Sequence, residues 1–160
     1  MKKILGVALV LGIILLTSNV SFARKTETLP DFLSRAIATS DDVYNNSTIH
    51  IKQHQDRSIH DKTSFLYFYS NYNHLMTVFL ETQNLVKCIQ KANPEEEGIF
   101  LAFQNFVMLM QKFQKDQLRE NLESSIKLVT LAYPKLTDLY KILFLFDEYI
   151  EQISAFETKP

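Results

Sequence analysis

The chain has 160 residues, a formal net charge of −1 and a single cysteine. One cysteine excludes an internal disulfide, and a near-neutral balance gives no electrostatic hold on a phosphate backbone, so nucleic acid is not an expected partner. The core has to hold the fold unaided; chains of this size bury about two-thirds of their unfolded surface, enough for one domain.

Met1-Lys2-Lys3 opens the chain, Ile4 to Leu16 carry no charge, and Ser21-Phe22-Ala23 follow a short polar stretch. A basic start, an apolar run and small residues at −3 and −1 of a cut are the layout of a secretory signal peptide. The apolar run is shorter than the roughly 20 residues a spanning helix needs. Residues 1–23 are therefore expected to be removed and residues 24–160 to form one helical-bundle domain, periplasmic or secreted. Loss of Lys2 and Lys3 takes two positive charges away and leaves −3.

Beyond the leader there is one glycine, Gly98, and no Asn-Gly or Asp-Gly pair, which disfavours hairpin turns. The prolines fall where helices would begin, a position their fixed φ suits. Thr28-Leu29-Pro30 predicts a first helix with Phe32, Leu33, Ala36 and Ile37 inward, running to about Gln55. Past Ser40 its apolar residues thin to Val43, Tyr44, Ile49 and Ile51, and Gln53 to Thr63 reads as loop or frayed end.

Asp61 is expected to cap a second helix beginning at Lys62. Phe65, Phe68, Tyr72, Leu75, Phe79, Val86 and Ile89 recur at steps of three and four, with Thr82 in the one polar gap. Such a stripe marks a helix with one side on a core. Leu66, Tyr69, Met76 and Leu80 are expected to widen it. Asn93-Pro94-Glu95-Glu96-Glu97 reads as the start of a third helix, its acids near the positive end of the helix dipole. That segment carries Ile99, Phe103, Phe106, Met110 and Phe113, then Leu118, Leu122, Val129 and Tyr133. The five-residue step from Phe113 to Leu118 predicts a bend or break around Lys115-Asp116. After Pro134, a fourth stripe runs through Leu136, Leu139, Leu143, Phe146, Ile150 and Ile153. The expected fold is all-α, a small antiparallel bundle of about four helices joined by short turns.

Glycine scarcity removes phosphate loops, dinucleotide folds and nucleophile elbows, all of which need glycine where backbone approaches a ligand. No Glu-x-x-His pair supports a di-metal carboxylate site. Glu120, Glu123, Asp147, Glu148 and Glu151 read as solvated faces, and no catalytic motif is present. A non-enzymatic role is expected.

Two groups of residues suggest binding. His50 and His54 share one helical face, and Asp61 joins it if the helix runs that far. These three are candidate zinc or copper ligands, although Arg57 on the same face would repel a cation. Tyr67 points away from the Phe68–Tyr72 stripe, and Phe144 away from Leu143 and Phe146. Exposed aromatics of this kind anchor protein partners. Cys88, beside the apolar stripe, is expected to be a buried, unreactive thiol; exposed, it would allow a disulfide-linked dimer. Acids on the last helix oppose contact with anionic lipid, so no stable membrane insertion is expected after leader removal. The leading expectation is an exported helical bundle that binds another protein. Alternatives are a periplasmic zinc or copper protein and a secreted factor directed at a host cell.

Overall fold

The computed structural model describes residues 27–54, 59–92 and 97–157. The expected leader Met1–Ala23, Arg57 and the Asn93–Glu96 cap lie outside them. The described residues contain helices and no strand, in five α-helices: α1 (Leu29–Gln53), α2 (Ile59–Lys91), α3 (Glu97–Leu109), α4 (Lys115–Ala132) and α5 (Tyr140–Glu157). A π-helical turn, Met110–Gln114, joins α3 to α4, and a 3-10 turn, Thr137–Leu139, leads into α5.

Helix α1 begins as its sequence dictates. Thr28 is extended (φ −73°, ψ 153°), and its side chain accepts from the Asp31 N–H while Pro30 occupies the first turn. The helix closes at Gln53, with the His54 N–H turned back to the Ile51 carbonyl. Helix α2 starts at Ile59, earlier than expected, so Asp61 lies inside its first turn rather than before it. There its carboxylate still meets the positive end of the dipole.

The expected third helix is divided, which is why five α-helices stand where about four were anticipated. Met110 and Leu118 are both buried, yet eight residues of ideal helix would turn one from the other by about 80°. A wider π turn between them absorbs the surplus residue without ending the rod. The disruption therefore falls just before Lys115-Asp116.

Neighbouring helices run antiparallel. From Ser34 to Tyr44, α1 meets α2 in descending order: Gln83 bonds to Ser34, Tyr72 to Asp41, and Tyr44 stacks on Tyr69 and Tyr72. The α3–α4 rod descends α5 likewise, with Phe103 against Phe156, Gln111 against Ser154 and Arg119 against Asp147. One contiguous core draws on all five helices. It includes Phe32, Leu33, Phe68, Phe79, Phe103, Leu122 and Phe146 from the expected stripes.

The buried stripe is narrower on α2 and wider on α5 than spacing alone predicts. Leu66 and Leu80 are exposed, as is Ile49 on α1, and Tyr69 is exposed although its ring stacks on Tyr44 of α1. On α5, Ile142, Leu145 and Tyr149 join the core, since α1, α2 and the α3–α4 rod surround most of that helix. Tyr149 is wholly buried, and its hydroxyl lies 2.5 Å from that of Thr82, which donates to the Val78 carbonyl. Burial pushes the Tyr149 phenol well above the ordinary tyrosine value.

The Thr82–Tyr149 pair gives a test of the core. Thr82→Val should cost about 1–3 kcal/mol, because it leaves the Tyr149 hydroxyl buried and unbonded. Adding Tyr149→Phe should return much of that loss, so a double-mutant cycle in urea should show a clear coupling. Additive losses would mean that the two hydroxyls do not depend on one another.

Candidate functional site

Phe144 is 67% exposed, in the middle of the outer face of α5. Helical spacing puts Tyr140 and Lys141 one turn before it and Asp147 and Glu148 one turn after. On one flank Asp147 accepts two bonds from Arg119 of α4, at 2.8 and 3.2 Å. Arg119 also reaches Glu123, which Lys127 holds from the other side at 2.7 Å. On the other flank Glu148 meets Arg35 of α1 at 3.3 Å, and Arg35 forks onto Glu27. Glu123, Asp147 and Glu148 are thus not plain solvated acids, as their sequence context suggested. They engage two arginines that tie α5 to its neighbours on both sides of Phe144. The bond to Asp147 raises the Arg119 pKa, and the bond from Lys127 lowers that of Glu123. Partly exposed ion pairs of this kind add little stability; what they supply here is a fixed charged border around an apolar ring.

Tyr67 is 40% exposed. Its hydroxyl reaches Asn121 Oδ1 at 3.4 Å, which places the ring along the α2–α4 seam. Tyr67 and Phe144 are not brought together. The inner faces of α2 and α5 meet through Thr82 and Tyr149, so the outer face of α5 points away from α2.

The His50 and His54 rings approach to 4.6 Å between centroids. His50 is half-buried against the edge of Tyr133 and lines a groove of about 370 Å³ between α1 and the turn that enters α5. Asp42, Asp138, Lys135 and Lys141 supply the groove's other charges. Asp61 lies beyond the break that ends α1, in a different helix, so the face it was to share with the histidines is not continuous. Among the described residues no three His, Cys, Asp or Glu side chains are grouped to hold a metal. Also among the described residues, no helix is long and apolar enough to cross a membrane.

Cys88 is exposed, correcting the expectation of a buried thiol. It follows Val86 by two residues, about 200° around the helix, and Val86 is the residue that faces the core.

Compared with known proteins, the chain matches no family model, no curated sequence and no solved structure.

If Phe144 is held for contact and not for folding, its removal should leave stability nearly unchanged. Phe144→Ala should shift the urea-unfolding free energy by no more than about 0.5 kcal/mol. Phe68→Ala, at a wholly buried ring, should cost about 3–5 kcal/mol. A large loss at Phe144 would make it a structural residue.

Proposed function

We propose that this is an exported, non-enzymatic helical protein that binds another protein through the outer face of α5, with Phe144 as its anchor. The observation that carries this reading is the 67% exposure of a phenylalanine framed by the Arg119–Asp147 and Arg35–Glu148 pairs. Burying such a ring in a partner's apolar socket is worth about 1.5–3 kcal/mol. Contact aromatics surrounded by a polar border are the usual seat of binding energy. A border already held by ion pairs loses less side-chain freedom on docking. Export rests on Met1-Lys2-Lys3, the apolar run Ile4–Leu16 and the small residues Ser21 and Ala23. It places the partner in the periplasm or outside the cell, where a host-directed role belongs to the same reading.

A photo-crosslinking amino acid at position 144, in cells that process the natural leader, tests both parts. One discrete adduct is expected in the envelope or medium. None is expected from the same probe at Leu131, which is more exposed still. Phe144→Asp should weaken binding of the adduct's partner by about 2 kcal/mol or more, roughly thirtyfold. Equal labelling at both positions, or none, would remove α5 as the contact face. A first residue other than Arg24 in the exported product would remove the assigned cut.

A zinc or copper role is supported by the approach of His50 to His54. It predicts micromolar binding that His54→Ala abolishes, read by calorimetric titration. Affinity no tighter than about millimolar, or insensitive to the substitution, ends it.

A further inference from the structure

The groove between α1 and the turn that enters α5 is built wholly from described residues. Asp42, Asn46 and His50 recur at steps of four, so one face of α1 forms its first wall. Lys135, Asp138 and Lys141 stand on the second. Val43 and Leu136, each 8% exposed, lie at its base. The Ser47 hydroxyl there is already spent on the Val43 carbonyl, at 2.8 Å. A volume of about 370 Å³ falls at the small end of ligand clefts, which run from about 300 to 1,000 Å³.

Register fixes where the charges lie. Arg35 meets Glu148 at one end of the α1–α5 seam and His50 meets Tyr133 at the other, and the two intervals are equal. Asp42, midway along α1 between them, is therefore level with Lys141, and His50 is level with the turn that carries Lys135. Asp138 holds Lys141 at 3.0 Å, so the Asp42 end keeps one negative charge overall. Among the described residues Asp42 and Lys135 have no ion-pair partner. An open carboxylate thus stands at one end of the groove, and an open ammonium at the end that also holds His50. Asn46 lies between them, with an amide that can both donate and accept.

Such a groove fits a ligand with a charge of each sign at its two ends. An anion alone would satisfy only Lys135, and a polyamine only Asp42. Asp42 to His50 spans about 12 Å along the helix, and three residues of extended peptide span about 10 Å. We propose that the groove binds a short peptide of about three residues with both termini free, its α-ammonium on Asp42 and its α-carboxylate on Lys135 and His50. Asn46 meets a backbone amide midway, and an apolar middle side chain covers Val43 and Leu136. This goes beyond the Phe144 reading: the ligand is small and lies in a groove, so neither contact requires the other.

The test uses the full chain as cells yield it, titrated calorimetrically with the tripeptide Ala-Leu-Ala. A dissociation constant of about 100 micromolar is expected. Acetylating the amino end or amidating the carboxyl end should each weaken binding about tenfold, the usual worth of a charge-assisted bond. Asp42→Asn should weaken the free peptide by the same factor and leave the acetylated one unaffected. Lys135→Gln should do likewise for the amidated one. Both are exposed positions, so circular dichroism should not change. No binding at millimolar peptide, equal affinity for free and blocked peptides, or a loss on Asp42→Asn that the acetylated peptide shares would each overturn the proposal. So would inorganic phosphate or spermidine binding as tightly as the peptide, which would reduce the groove to a simple ion site. His54→Ala, which ends metal binding, should leave the peptide affinity unchanged. Crosslinking at position 144 in the Asp42→Asn protein reports on the α5 face separately, so the readings fail independently.

Discussion

The rotation of α5 about its own axis decides what the surface of this protein offers, and Tyr149 sets that rotation. Its ring is fully buried beside Phe79, and its hydroxyl finds a partner in Thr82 across the core. A buried phenol without such a partner is costly, so few other orientations of the helix are open to it. Phe144 lies five residues earlier, about 140° around the helix, and is thereby turned outward. Asp147 and Glu148 fall at the two seams, within reach of Arg119 and Arg35. The exposed ring and its charged border follow from one satisfied pair of hydroxyls inside.

The π turn plays a comparable part in the opposite rod. A regular helix from Glu97 to Ala132 would have turned Leu118 about 80° from Met110, toward the edge of the buried stripe. The wider turn re-phases the rod, so that α3 and α4 each present their own best apolar side inward. It also makes the outward side of α3 independent of that of α4. The outer face of α4 keeps Glu120 and Ser124 beside its leucines, whereas α3 carries no charge from Gly98 to Leu109.

Much of this was legible in the sequence, and the gaps have physical causes. Local chemistry read well: Thr28 and Pro30 start a helix, Pro134 separates two, and the step from Phe113 to Leu118 marks a disruption. The outward direction of Phe144 also follows from spacing alone. What spacing cannot supply is the width of the buried stripe, which depends on how many neighbours a helix has. Leu66 and Leu80 therefore share the stripe's spacing yet lie outside the core, Ile142 and Tyr149 lie inside it off the stripe, and Cys88 has apolar neighbours in sequence but an outward angle. Cross-helix pairs were also invisible. Arg119 and Asp147 are 28 residues apart, and nothing local links them. His50 and His54 lie together because one helical turn suffices to bring their rings to 4.6 Å. Asp61 belonged to the next element because α1 ended first.

The most extensive helix contact joins α2 to α4, which α3 separates in sequence, while α1 with α2, α2 with α3 and α4 with α5 are contacts between neighbours. The packing of α1 on α5 is different, since it brings together the two ends of the described chain, as in the 113-residue separation of Arg35 and Glu148. Closing so long a loop costs more chain entropy than pairing a local hairpin does. For a chain threaded through a membrane N-terminus first, as proposed above, α1 emerges with nothing to cover Leu33 and Ala36. Helix α2 then covers only part of that apolar side, and the rest stays open to other chains until the last helix arrives.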